Sequence, residues 1–325
     1  MSCGVMADKF DYVRGAAFVV AFFVLGVWSL PSWLIADTVF TAFSGVGLYF
    51  RPELTIQLQT HDLKLDILHC HLNRVFGSFL IGSAVVWYFC RLSKDSTVVA
   101  ALLWSRVMGI FCLLSIIISG HFANRKLFTD KHLWFGVLGN SLWWLANAVQ
   151  LLKSRPKVRE GPNVQSRGIT LVCNLNLLML TLVSLALMAF PLMTTGVKGR
   201  KLDKYHLHTA KAVGALVMTF SILMWFVPRF VHKRDVRAVF SGQLLTVVLV
   251  YVAKGYMQYT SKILGSDEIL GWTLMYLPLL LLPMNGLLLT YRVDTKTAPV
   301  TGAETSDSNS QMDKETVQSE AKKES

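Results

Sequence analysis

The chain has 325 residues, of which 53% are hydrophobic and only 16% charged, with a mean hydropathy of +0.46. That balance excludes a pair of ordinary soluble domains, because apolar runs of about 20 residues, long enough to cross a bilayer, recur along the chain. The net charge of +12 sits in short loops between those runs, where Lys and Arg orient a membrane protein and meet lipid headgroups. No basic helix with interleaved aromatics is present, which excludes nucleic acid as a partner.

In chain order, the first apolar run is 15–36, read as a retained helix because it is long and carries Trp28 and Trp33. The stretch 37–50 starts at Asp37, an N-cap residue type, and stops before Arg51-Pro52. It reads as a helix too short to span, lying at the interface. Further runs follow at 72–89, 98–120 and 133–152, then a basic, Pro-containing linker. The second half repeats the plan at 168–194, 209–227, 236–256 and 269–291, with Pro278 and Pro283 predicting a kink in the last run. A Ser-, Thr-, Lys- and Glu-rich tail closes the chain and cannot bury enough surface to fold. The expected domains are a four-helix repeat over 1–152, a linker over 153–167, a second repeat over 168–292 and a disordered tail over 293–325.

The fold class expected is therefore all-α: a polytopic membrane protein whose eight transmembrane helices form two parallel four-helix repeats. An even number of spans per copy gives both copies the same orientation. Lys and Arg are more numerous in the loops on the side of the termini, which places both termini in the cytosol. The chain ends Lys322-Lys323-Glu324-Ser325, which looks like the dilysine signal that returns membrane proteins to the endoplasmic reticulum. Such signals are addresses read by a coat complex and say nothing of activity.

One polar constellation occurs twice. Asp66, His69, His71, Arg74 and Gly77 recur 137 positions later as Asp203, His206, His208, Lys211 and Gly214, and the same shift carries Asp130 to Asp267. These residues fall where the second and sixth spans begin, on the lumenal side in the chosen orientation. Imidazoles two residues apart point about 200° apart around a helix and so cannot share a metal there. His71 with Arg74, and His208 with Lys211, are three apart and share a face, and a cation beside each His suits an anion better than a metal. The structural alternative is caps and snorkelling side chains. A bis-His haem needs ligands facing each other inside the bundle, whereas here only His71 and His121 are placed to bridge. No metal ligand set and no cofactor is expected.

Arg106 lies inside a span, and no carboxylate inside any span is expected to pair with it. It therefore joins His69, His71, Arg74, His206, His208 and Lys211 as a candidate ligand-binding residue. The carboxylates Asp66, Asp203, Asp130 and Asp267, with Asn140 and Asn147 on the fourth long run, form a second tier. The amides are expected mainly to bond neighbouring helices. The 137 shift places Gln243 at the position of Arg106. The cysteines form no C-x-x-C and read as buried apolar thiols.

The leading functional expectation is a protein of the endoplasmic reticulum membrane that binds or transports a lipid or a small anionic ligand. The alternatives are a lumenal-facing lipid-modifying or metal- or haem-dependent enzyme, and a structural or assembly subunit of a membrane complex. The expected partners are membrane lipid, the coat complex at the dilysine, and further copies of the chain or a membrane complex. No catalytic signature decides whether the protein is an enzyme.

Overall fold

Capping residues set where the helices begin. The structure, a computed structural model, describes residues 20, 24–61, 63–162, 167–192, 202–261 and 266–297, without the side chains of 135, 266–270, 272, 275 and 293–297. Residues 1–290 form one unit and 291–325 a second. All contacts given below lie in the first, and of the second only the helical residues 291–297 are described.

Ser29 accepts the Ser32 N–H at 3.3 Å and, with Pro31 in the first turn, starts α1 (Leu30–Phe50). Pro52 then begins the short α2 (Pro52–Gln59). The chain beyond α2 is tied by an isolated bridge between Thr60 and Phe128, with the Thr129 N–H donating to Gln59 O at 3.0 Å. Asp66 caps α3 (Ile67–Cys90) and Asp95 caps α4 (Ser96–Ala123). A π-helical turn (His132–Leu138) runs into α5 (Gly139–Ser154), which ends on Arg155 in the left-handed region at φ 40°. There follow α6 (Arg167–Ala189), α7 (Lys204–Phe226) capped by Asp203, a 3₁₀ turn at Val227–Arg229, α8 (Lys233–Ser261) and α9 (Ser266–Thr297). Where Pro278 and Pro283 predict a kink or local unwinding, α9 stays helical through both.

The protein is all-α among the described residues, and six of its helices are long and apolar enough to cross a membrane: α1, α3, α4, α6, α7 with its 3₁₀ turn, and α8. Their outer faces are apolar too. On α6, Leu171, Leu175, Leu178, Leu182 and Leu185 recur at three- and four-residue spacing and are all exposed, which is the pattern of a helix turning a Leu stripe to lipid. The four described cysteines are free, with Cys70, Cys90 and Cys173 buried and Cys112 partly so.

One expectation about the spans is overturned. The segment 37–50 is not an interface helix beginning at Asp37, because the helix starts at Leu30 and carries Asp37 two turns in, fully buried. Ser29 and Pro31, not Asp37, supply the start signal, and a tertiary partner described below accounts for the buried carboxylate. Of the first expected run, 15–19 and 21–23 lie outside the described residues.

The centre of the bundle is α3 and α7, with 67% and 78% of their apolar windows buried. They run in the same direction, touching first at their N-termini and again where Phe79 meets Phe220 with ring centres 6.0 Å apart. Helices α1 and α8 pack along α3, while α6 and α4 pack along α7. The turn at His132–Leu138 and α5 pack on α4. At the end opposite Asp66 the basic linker lies over the start of α4, where the Lys157 and Arg159 N–H groups donate to Ser96 Oγ and Thr97 Oγ1.

Close approaches at two of these crossings depend on a missing side chain. A Cβ placed on Gly82 of α3 would lie 1.8 Å from Thr246 Oγ1 of α8, and one on Gly109 of α4 would lie 1.9 Å from Thr219 Oγ1 of α7. Overpacking of this kind costs about 1–3 kcal/mol. Gly109→Ala should therefore lower stability by that amount in detergent unfolding, and adding Thr219→Ala should recover part of the loss.

Candidate functional site

The two copies of the Asp-x-x-His pattern build the same local structure. The Asp66 carboxylate accepts the His69 N–H at 2.9 Å while His69 Nδ1 accepts the Asp66 N–H at 3.1 Å. Asp203 and His206 repeat this at 2.9 and 3.2 Å. Each is a capping box in which His stands where Glu or Gln is usual. With Nδ1 accepting from the backbone, the proton belongs on Nε2, and each Nε2 meets the carboxylate of the other helix. His69 Nε2 lies 2.8 Å from Asp203 Oδ2 and His206 Nε2 lies 3.2 Å from Asp66 Oδ1. The rings stack with centres 3.7 Å apart and planes at 16°, and both are buried. Two helix starts are thereby clasped by reciprocal bonds. Burial acts to raise the Asp66 pKa, but hydrogen bonds from His206 and His69 outweigh it and hold the carboxyl well below its usual range.

The second histidine of each pair faces elsewhere, as its spacing requires. His71 is buried beside Lys254, Arg74 and the Ala253 main chain, and its Nδ1 has no hydrogen-bond partner. Arg74 is engaged, 3.6 Å from Glu53 Oε1 and 4.8 Å above the Tyr256 ring. His208 lies against Gly120 and joins a group that the repeated motif does not announce. His121 and His132 bring their Nδ1 atoms within 3.3 Å, so one donates and the other accepts. Phe128 stacks on His132 at 4.0 Å, and His208 stands edge-on to His132 at 5.4 Å. Burial, followed by His208 and His121, pushes the His132 pKa down to about 3, so this ring stays neutral at pH 7. Lys211 is half-buried next to His208. Among the described residues no carboxylate forms an ion pair with His121, His132, His208 or Lys211. Asp130 is exposed, and the side chain of Asp267 lies outside the described residues, as do Lys322 and Lys323.

Arg106 is not the unpaired cation that the sequence suggests. Its Nε donates to Asp37 Oδ2 at 3.2 Å and one Nη to Thr41 Oγ1 at 3.0 Å. Thr41 and Trp143 Nε1 donate to Asp37 Oδ1 at 2.9 and 3.0 Å. The guanidinium lies 4.0 Å over the Trp87 ring and 4.9 Å from that of Trp143. Both charges are buried, 0% exposed for Asp37 and 1% for Arg106, so this cation is spent inside the bundle. In the other half, Gln243 exchanges two amide bonds with Asn176, at 2.6 and 2.7 Å. Asn147 accepts from Trp33 Nε1 at 3.1 Å and donates to Trp143 O, while Asn140 donates to Gly136 O in the preceding π-helical turn.

Among the described residues, fold and site thus define an all-helical protein with six helices long and apolar enough to cross a membrane and six buried or half-buried histidines gathered at one end of the bundle. Residues 35–288 match the family described as "Domain of unknown function (DUF8292)", and the chain belongs to that family. The match takes in Asp37, Arg106, the clasp and the His121–His132–His208 group. Comparison with curated proteins and with solved structures found no match.

Proposed function

We propose that the protein is a multi-pass protein of the endoplasmic reticulum membrane that binds, and passes on, a lipid or small molecule through an anionic group. The observation that carries this is the group His121, His132, His208 and Lys211, gathered from α4, the π-helical turn and α7 with no carboxylate bonded to it among the described residues. Ring N–H donors beside an ammonium in a low-dielectric setting suit a phosphate or carboxylate headgroup. A π-helical turn at such a place fits a binding role as well. Of the candidate ligand residues, His208 and Lys211 stay in this reading as direct contacts. His71 and Arg74 drop out because they face Lys254, Glu53 and Tyr256, His69 and His206 would brace it, and Arg106 drops out because Asp37 holds it. Purified protein titrated with short-chain phosphatidic acid should show a saturable rise in melting temperature. Lys211→Ala and His208→Ala should reduce the apparent affinity tenfold or more. An equal rise in those variants, or none in the parent protein, would sink the reading.

The reading includes eight spans in two parallel repeats: α1, α3, α4 and α5, then α6, α7, α8 and α9. Three features support it. The capping boxes of α3 and α7 are equivalent, and Arg106 and Gln243 bond the first helix of their own half. The Gly82–Thr246 contact reappears as Thr219–Gly109 with the residue types exchanged, as two copies of one crossing would allow. In this reading the third helix of each repeat crosses to the second helix of the other. The charge of the loops and the Lys322-Lys323 pair support cytosolic termini and the reticulum address. Glycosylation tags beside Asp66 and Asp203 should both be modified, and a split result would end the parallel arrangement.

A further inference from the structure

At the end of the bundle opposite the clasp, the basic linker does more than join two halves. Its Lys157 N–H donates to Ser96 Oγ at 2.7 Å and its Arg159 N–H to Thr97 Oγ1 at 3.2 Å, which pins it across the first turn of α4. The turn between α7 and α8 is tied to the same place, since the Val231 N–H donates to Asp95 Oδ2 at 2.8 Å. Linker, helix start and turn together enclose an open cleft of about 410 Å³, lined by Lys94, Lys157, Arg159 and His232 with Val158 and Val231. We propose that this cleft binds the headgroup of a multiply phosphorylated membrane lipid.

The charge of the lining calls for a polyanion. Lys94, Lys157, Arg159 and His232 are all exposed, and among the described residues none of them forms an ion pair with a carboxylate. Asp95, the carboxylate in the lining, is spent inside the fold: Oδ1 accepts the Thr97 N–H at 2.9 Å and Oδ2 that of Val231. Asp235 is buried close by and accepts from Ser93 Oγ at 2.6 Å. Charges of one sign around a concave surface focus their field on an incoming counter-charge. The cleft falls within the range of about 300–1,000 Å³ typical of ligand sites, more than a lone phosphate fills. Its place in the fold favours a lipid over a soluble anion. It sits where α4 and α8 begin, both long and apolar enough to cross a membrane, and Val158 and Val231 leave apolar surface beside the cations. At the same end Arg91 lies 4.0 Å over the exposed Tyr88 and Arg229 lies 4.3 Å over the exposed Trp225. Aromatic rings with arginines folded over them suit the headgroup level of a bilayer. In the orientation proposed above this end faces the cytosol, and clustered Lys and Arg beside a span on that side suit phosphorylated lipids.

The test titrates the full chain in mild detergent with short-chain phosphatidylinositol bisphosphate and reads binding by thermophoresis. Saturable binding is expected, and its absence would overturn the proposal. The triple variant Lys94→Gln/Lys157→Gln/Arg159→Gln should bind roughly a hundredfold more weakly, from a factor of about five for each cation at a charged lipid surface. All three side chains are exposed, so this variant should keep the melting temperature of the parent. A control with the same loss of charge at the same end but outside the lining, Arg91→Gln/Lys153→Gln/Arg229→Gln, should lose about threefold or less, because screened charges away from the site act weakly. Equal losses in the two variants would leave a diffuse basic surface and no site. Inositol trisphosphate, the headgroup without its chains, should bind about tenfold or more weakly, because it lacks the local concentration that anchoring in the micelle provides. Equal binding would assign the cleft to a soluble anion, and tighter binding of a single-stranded oligonucleotide would assign it to nucleic acid; either overturns the lipid. Lys211→Ala should leave the titration unchanged, and loss of binding in that variant would put the lipid at the histidine group instead.

Discussion

Arg106→Met alone should destabilise the protein by about 3–5 kcal/mol, because it leaves the Asp37 carboxylate buried and uncompensated. Asp37→Leu should cost a similar amount for the mirror-image reason, with the guanidinium left between Trp87 and Trp143. The double variant should recover most of the loss, since an apolar pair of similar volume replaces a buried ion pair at little net cost. Recovery should stay incomplete, because Trp143 Nε1 and Thr41 lose the acceptor that Asp37 provides, at about 1–3 kcal/mol for an unsatisfied group. In the other half, Gln243→Leu strands only the neutral Asn176 amide and should fall in that lower range. Unfolding measurements on the five proteins decide the matter. Purely additive effects at positions 37 and 106 would contradict the pair.

The clasp should show the second large effect. His69→Leu removes the acceptor for the Asp66 N–H and the donor to Asp203, and bonds to charged groups are worth about 1.5–3 kcal/mol each. His206→Leu removes the equivalent bonds. Because each histidine serves the carboxylate of the other helix, and because the rings stack, the two losses should not add. A coupling of about 0.5–3 kcal/mol is expected from a double-mutant cycle. Asp66→Asn should be milder than either, as Asn still caps a helix. A coupling near zero would mean that the reciprocal bonds do not form.

Local features were legible in advance because their physics is local. An Asp three residues before a His, followed by apolar residues, is a helix start, and its recurrence 137 positions on implied a second start of the same kind. The apolar runs likewise implied helices; of the two α5 amides expected to bond neighbouring helices, Asn147 does so through Trp33, whereas Asn140 bonds the adjoining π-helical turn. The error at Asp37 has the same origin. Judged locally, a lone Asp inside an apolar stretch looks like a cap, because nothing nearby reveals a cation 69 residues away to offset its burial. The His121–His132–His208 group was hidden for a related reason: its members come from a helix end, a π-helical turn and another helix, and no spacing rule links them.

Composition and periodicity by themselves determined that the chain is helical, that its helices are apolar enough for a membrane, and that two of them start alike. Those properties depend on hydrophobic run length and on hydrogen bonds spanning three or four residues. Only the tertiary structure decided which helix faces which. It set the two starts against each other so that each histidine reaches the opposite aspartate, joined Asp37 to Arg106, and placed α4 on α7 and α8 on α3. Partners across a helix interface are selected by close packing and by the need to satisfy buried polar groups, and neither leaves a periodic trace in the order of residues.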